Sequence, residues 1–218
     1  WGKREFATAG ATVQVWSMDR GNALHTFEWG TDTVLSVRYN PVETDIFASC
    51  GSDRSIALYD VRMETPLKKI IMQTKSTKLC WNPMEAFNFT VANEDTNLYS
   101  YDMRKMDIAT CVHKDFVNAV MDVDYSPTGR EFVAGSYDRT IRLFDYNAGH
   151  SKDCYHTKRM QRVFCTRFSM DGSYVFSASD DMNVRCWKAD ASAQLGTLAP
   201  REKRKHAYNA SLKDRFKH

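Results

Sequence analysis

The fold follows from a four-residue run, VRCW at residues 184–187, which the sequence repeats four more times. Each copy is a short alternating run that ends in an aromatic residue, and these aromatic residues are spaced 42 or 43 positions apart. The earlier copies are VQVW at 13–16, IALY at 56–59, LYSY at 98–101 and IRLF at 141–144. A period of about 40–45 residues is typical of a β-propeller, whose repeats each form a four-stranded blade. We therefore predict an all-β propeller.

The repeats divide the chain into blades at residues 1–198 and a short tail at 199–218. The first copy predicts only a second strand at 6–9 and a third at 13–16. The last blade should hold strands at 161–169, 174–178, 184–187 and 194–198. Seven blades with this period need about 300 residues. We expect the C-terminal blades of a seven-bladed ring, with a small five-bladed ring as the alternative.

The basic residues concentrate in the tail. The formal net charge is +3, but residues 201–218 hold seven basic side chains against two acidic ones, a net of +5, which leaves −2 for the rest. No apolar run is long enough to span a membrane, so we expect no membrane partner.

The six cysteines include no Cys-x-x-Cys pair. Cys111 and His113 resemble a metal-ligand pair, and so do Cys154 and His156, but the pairs are 43 residues apart and repeat one blade position. Neighbouring blades would not direct them at one ion, and zinc needs about four converging ligands. We expect reduced thiols, no metal, no cofactor and no small-molecule substrate.

An aspartate precedes the aromatic residue by six positions in four of the copies: Asp53, Asp95, Asp138 and Asp181. In the last copy, His156, Ser177, Asp181 and Trp187 resemble the hydrogen-bonded tetrad of WD-repeat proteins. A buried indole N–H needs an acceptor, which a hydroxyl can supply. Ser, His and Asp could also form a hydrolase triad, but His113 and Asp138 repeat the spacing with Ala134 at the serine position. We therefore predict a structural tetrad, with all four side chains buried and mutually hydrogen-bonded, and no enzyme.

The whole chain resembles a WD-repeat protein, and its last residues narrow the family. The stretch REKRKHAYNASLKDRFKH at 201–218 resembles the start of a Sof-type C-terminal extension. The resemblance implies a nucleolar family of small-subunit processome components. It implies a scaffold of ribosome biogenesis that acts in 18S rRNA maturation. Its partners would be other ribosome-assembly proteins and pre-ribosomal RNA or a small nucleolar ribonucleoprotein.

A second resemblance concerns YDVR at 59–62 and YDMR at 101–104, which are similar to the Trp-Asp-x-Arg box of cullin-RING substrate receptors. Tyr replaces Trp in both copies. The resemblance implies that Asp60, Arg62, Asp102 and Arg104 contact the cullin-RING adaptor. The alternative function is therefore a substrate receptor of a ubiquitin ligase, which could be a second role of the same protein.

The tail itself predicts a short basic helix that starts near Pro200. Tyr208, Leu212 and Phe216 are spaced i, i+4 and i+8, which forms one docking stripe. The candidate RNA or particle contacts are Arg201, Lys203, Arg204, Lys205, Lys213, Arg215 and Lys217. Lys and Arg neutralise phosphates, but a solvated helix docked by its stripe, or a helix on a membrane surface, fits the same pattern.

Overall fold

A computed structural model describes residues 5–28, 32–193, 196 and 200–216. These ranges contain eighteen strands and one helix, and the strands form five antiparallel sheets that follow one another along the chain. The predicted all-β, bladed fold with a short C-terminal helix is thus confirmed. Within the described ranges, no helix is both long and apolar enough to cross a membrane.

The first two sheets are blades 1 and 2. Blade 1 consists of β1 (Glu5–Ala9), β2 (Val13–Ser17) and β3 (Ala23–Phe27). Blade 2 consists of β4 (Val34–Tyr39), β5 (Ile46–Gly51), β6 (Ser55–Asp60) and β7 (Lys68–Ile71).

The next two sheets, blades 3 and 4, each have four strands. Blade 3 consists of β8 (Ser76–Trp81), β9 (Asn88–Asn93), β10 (Leu98–Asp102) and β11 (Cys111–His113). Blade 4 consists of β12 (Val120–Tyr125), β13 (Glu131–Ser136), β14 (Ile141–Asp145) and β15 (Ser151–Tyr155).

Blade 5 has three strands in the described ranges: β16 (Val163–Phe168), β17 (Tyr174–Ser179) and β18 (Val184–Lys188). The fourth strand predicted at 194–198 lies, apart from Gly196, outside the described residues. The helix α1 (Pro200–Arg215) follows.

The periodic aromatic residue of each repeat packs on the strand before it. Tyr59 stacks on Phe47 at 4.9 Å between ring centroids, and Phe144 stacks on Phe132 at 5.3 Å. These rings are direct cross-strand partners, and such aromatic pairs stabilise a sheet beyond the area that they bury. Phe89 and Tyr101 repeat the pair in blade 3. Because this contact needs only a stacked aromatic ring, Tyr or Phe can replace Trp and the blade still forms.

The hydrophobic cores lie between neighbouring blades. One cluster joins Ile56 and Leu58 of blade 2 to Leu79 and Phe89 of blade 3, and all four side chains are buried. A blade therefore covers its faces with its neighbours, as repeat architectures require.

The predicted aspartates lie in the tight turns between the second and third strands. Asp53, Asp95, Asp138 and Asp181 each accept, through Oδ1, a hydrogen bond from the backbone N–H two residues later. The residue after each aspartate has a left-handed φ, between 59° and 77°. Because Asp side chains stabilise turns by such local bonds, the repeated aspartate fixes the turn.

Antiparallel blades have two rims. The box rim holds the loops after the first and third strands, including residues 40–45, 61–67, 82–87 and 103–110. The turn rim holds the aspartate turns and the connections between blades, including residues 137–140, 156–162 and 180–183.

Candidate functional site

Arg62 and Arg104 occupy equivalent positions on the box rim of neighbouring blades. Each follows the end of a third strand by two residues, and its backbone N–H donates a 2.9 Å hydrogen bond to Asp60 or Asp102. Lys68 of blade 2 donates from Nζ to the Arg104 carbonyl at 2.6 Å, which connects the two blades here. The two arginine side chains are 75% and 62% exposed, so a partner can reach both.

Both guanidinium groups are held by carboxylates of the rim. Arg62 pairs with Asp45 of the preceding loop, whereas Arg104 pairs with Asp102, with Nη2 and Oδ2 2.8 Å apart. Hydrogen bonds from the Arg104 side chain lower the pKa of Asp102. Arg104 also lies over the Phe87 ring, 4.4 Å from its centroid. These contacts orient the arginines, while their exposed N–H groups can still bind a partner.

Two buried asparagines hold the box-rim loops together, and the sequence analysis did not identify them. Asn82 accepts hydrogen bonds from the backbone N–H groups of Met84 and Glu85, and its Nδ2 donates to the Gly129 carbonyl of the next blade at 3.0 Å. Asn40 repeats this arrangement one blade earlier, with its Nδ2 donating to the Ala86 carbonyl at 2.7 Å. The repeated Asn-Pro pairs at 40–41 and 82–83 are the sequence signal from which these two asparagines could have been identified.

The basic tail forms α1, and none of its residues is buried. Tyr208 and Phe216 of the predicted stripe are 64% and 73% exposed, and Leu212 is half-buried. Six of the seven candidate contact residues are exposed on α1, while Lys217 lies outside the described residues.

The stripe and part of the basic charge share one helix face. Arg201 and Lys205 precede Tyr208 by seven and three residues, spacings that bring side chains to the same side of a helix. A partner that docks on the stripe would therefore also meet these two cations.

The tetrad predicted in blade 5 is only partly present. The Trp187 Nε1 donates to the Ser177 Oγ at 2.9 Å, and Ser177 is buried. Trp16 and Thr8 form the same bond in blade 1, at 3.0 Å.

His156 does not join this pair, and its predicted burial is wrong because it is exposed. The residue that covers the indole is Tyr155, whose ring stacks on Trp187 at 5.1 Å. Successive residues of an extended chain point to opposite faces, and His156 follows Tyr155 directly at the end of β15, so its side chain is turned outward. Asp181 is bound instead by Arg185, four residues later.

The other histidine of the repeat lies in a buried network that the sequence analysis missed. His113 is fully buried, its Nε2 is 2.9 Å from the Ser100 Oγ, and its Nδ1 is 2.6 Å from the Ala148 carbonyl. Ser100 in turn bonds Thr90, which bonds the Tyr125 hydroxyl. Burial lowers the pKa of His113, so the ring is neutral and joins blade 3 to blade 4.

The two cysteine–histidine pairs are apart: Cys111 and His113 lie in β11, whereas Cys154 lies in β15 of another sheet and His156 follows that strand. In the described part of the chain, no three His, Cys, Asp or Glu side chains gather as a metal site would require. All six cysteines are described, and no disulfide joins them.

The chain resembles known proteins in both of its parts. Residues 189–218 match the family model of the Sof1-like domain. Residues 21–60, 108–145 and 151–188 match that of the WD domain, G-beta repeat.

Whole-chain relatives include "DDB1- and CUL4-associated factor 13" of Danio rerio, which is 56% identical over 98% of this chain and 48% of its own length. The protein of the same name from Homo sapiens is 51% identical over all of this chain and 49% of its own length. "Protein SOF1" of Saccharomyces cerevisiae is 51% identical over 98% of this chain and 44% of its own length. The chain thus spans about half the length of these relatives.

Proposed function

Because the chain belongs to the WD-repeat family and matches the Sof1-like domain at its C-terminal end, we propose that it is a non-enzymatic scaffold of ribosome assembly. In this role the blades bind segments of other assembly proteins, and α1 binds pre-ribosomal RNA or a small nucleolar ribonucleoprotein. The site of action is the nucleolus, and the process is maturation of 18S rRNA in the small-subunit processome.

The observation that carries this proposal is the exposed basic helix within the Sof1-like region. Residues 200–215 hold six basic side chains against two acidic ones, and no residue of the helix is buried. Such a helix has no core of its own, and isolated helices of this length are marginally stable in water. A phosphate-rich partner would neutralise its charge, while the stripe of Tyr208, Leu212 and Phe216 would bury apolar area.

The test replaces Arg201, Lys203, Arg204 and Lys205 by Ala in the full chain. We expect weaker binding to pre-ribosomal RNA and a smaller slope of log K on log salt, by about 0.7–0.9 for each lost phosphate contact. The charge-preserving pair Arg201→Lys and Arg204→Lys is the control and should keep the slope. Sedimentation of the tagged protein with pre-ribosomal particles is measured in parallel.

Two results would contradict this function. Wild-type RNA affinity and salt slope in the Ala variant would exclude α1 as an RNA contact. Absence of the wild-type chain from pre-ribosomal particles would exclude the scaffold role altogether. Loss of particle association with unchanged RNA affinity would instead assign α1 to protein docking.

A second candidate function is that of a substrate receptor for a cullin-RING ubiquitin ligase. It is supported by the exposed Arg62 and Arg104 on one rim of adjacent blades. The name of the Danio rerio relative associates that protein with DDB1 and CUL4. We propose that the box rim binds the adaptor, which leaves the turn rim and α1 available for ribosomal partners.

A further inference from the structure

We call the connection from blade 4 to blade 5, residues 156–162, the basic loop. Lys158, Arg159 and Arg162 are all exposed, and the loop contains no acidic residue. The connection one blade earlier carries Asp115 and Phe116 at the positions of Lys158 and Arg159. The positive charge therefore belongs to this loop and not to the repeat.

The basic loop is pinned to the blades, so its charges have fixed positions. Met160 is 1% exposed and packs in the core cluster with Val163. The Gln161 backbone N–H donates to the Ser179 Oγ at 3.0 Å, and the Arg162 carbonyl accepts from the Asp180 N–H at 2.9 Å. These bonds hold the chain after Met160, and the Met160 N–H donates to the Thr157 carbonyl at 3.1 Å, which closes the turn that carries Lys158 and Arg159.

Aromatic rings lie directly beside these cations. The Arg162 guanidinium lies 5.3 Å from the centroid of the Tyr137 ring, and Phe164 packs edge-on against the same ring at 5.6 Å. Phe164 remains 41% exposed. Arg139, on the turn next to Tyr137, is also exposed.

Nearby carboxylates do not neutralise this surface. Among the described residues, Lys158, Arg159, Arg162 and Arg139 form no ion pair, whereas Arg185 of the same blade is paired with Asp181. The neighbouring Asp138 accepts bonds from Thr140 and Val117 of its turn and loop. Asp180, whose backbone N–H donates to the Arg162 carbonyl, is exposed.

We propose that the basic loop, with Arg139, Tyr137 and Phe164, is a contact surface for single-stranded RNA on the blades, separate from α1. Unstacked bases bind to aromatic rings and guanidinium planes, and lysine and arginine bind the phosphates between them. The surface offers all three groups on one rim. The choice of RNA rests on the proposed function, and an acidic peptide is the competing ligand.

The test measures the affinity of the full chain for a fluorescent 12-nucleotide single-stranded RNA of mixed sequence. It is performed in the background with Arg201, Lys203, Arg204 and Lys205 changed to Ala, so that α1 contributes little. The pair Lys158→Ala and Arg159→Ala should weaken binding several-fold and reduce the salt slope by about 1.4, or 0.7 for each lost contact. Lys105→Ala with Arg130→Ala removes the same charge from exposed positions on the box-rim side and should change neither quantity.

Stacking is tested by Phe164→Leu. We expect roughly fivefold weaker RNA binding or more, with an unchanged salt slope, because a base loses its aromatic platform. Phe176→Leu is the control, since Phe176 is equally exposed on β17 of the same blade.

Equal affinities for the loop variant and its charge control would overturn the proposal. The same conclusion would follow if the loop variant lost binding to a fluorescent Asp/Glu peptide and kept its RNA affinity. Failure of this proposal can be distinguished from failure of the scaffold function. Unchanged RNA binding with normal particle association removes only the basic-loop surface. Loop-dependent RNA binding without particle association removes only the ribosomal role.

Discussion

The indole Nε1 of Trp187 donates a 2.9 Å hydrogen bond to the buried hydroxyl of Ser177. Trp16 forms the corresponding bond to Thr8 in blade 1. The two bonds occupy the same register, since each hydroxyl residue is paired with the residue two positions before the tryptophan. They differ in environment, because the Ser177 side chain is buried and Thr8 is exposed.

This difference predicts unequal effects of the same substitution. Trp187→Phe leaves the Ser177 hydroxyl without its donor in a buried site and should lower the free energy of unfolding by about 1–3 kcal/mol. Trp16→Phe should cost less, because water replaces the lost bond at Thr8. Urea unfolding followed by circular dichroism compares the two variants, and equal small losses would refute a structural role for the Ser177 bond.

Loss of the Asn82 side chain in the box rim should also lower stability. Asn82→Ala leaves the N–H groups of Met84 and Glu85 and the Gly129 carbonyl without their partner. We expect a loss of about 1–3 kcal/mol in the free energy of unfolding. Asn147→Ala, at an exposed position of a blade 4 loop, is the control and should be neutral within about 0.5 kcal/mol. Similar thermal midpoints for both variants would contradict the bridging role.

His113 predicts a pH dependence of stability. Its pKa is lowered by burial, so the folded state binds fewer protons than the unfolded state once the pH falls below the unfolded pKa of about 6.5. Stability should therefore fall as the pH drops from 7 towards 5, with a slope of up to about 1.4 kcal/mol per pH unit from this group. His113→Gln should remove that contribution. Urea midpoints at pH 7.5 and 5.5 measure it, and an identical pH dependence in the variant would count against a buried neutral ring.

Removal of Arg62 and Arg104 should weaken adaptor binding and leave folding intact. Replacing both by Ala should weaken binding of the cullin-RING adaptor by roughly tenfold or more, because each substitution removes an exposed cation that can form charge-assisted hydrogen bonds. Stability should change by less than about 1 kcal/mol per position, since exposed ion pairs contribute little.

The matched control for this pair is Lys158→Ala with Arg159→Ala, which removes two exposed cations from the turn rim. Binding is measured with the purified adaptor subunit by calorimetry. Wild-type affinity in the Arg62 and Arg104 variant would leave the receptor function without support from the box rim.

The repeat could be predicted from the sequence because its signals are local. The strand at 184–187 alternates, and Asp181 bonds to the backbone only two residues away. The aromatic partner of Tyr59 lies twelve residues earlier in the adjacent strand. Interactions of this range are contained within one repeat, so counting positions identifies the blade, its turn and its stacked ring.

The contacts between blades, in contrast, depended on the tertiary structure. Asn82 meets Gly129, and Arg162 meets Tyr137, across distances of 47 and 25 residues in the sequence. The resemblance to the tetrad predicted a buried His156, yet Tyr155 stacks on Trp187 and the next residue, His156, is exposed. A one-residue change reverses the face that a strand residue occupies. The sequence alone therefore determined the repeating blade, whereas the packing of successive blades determined which polar side chains became buried bridges and which formed exposed surfaces.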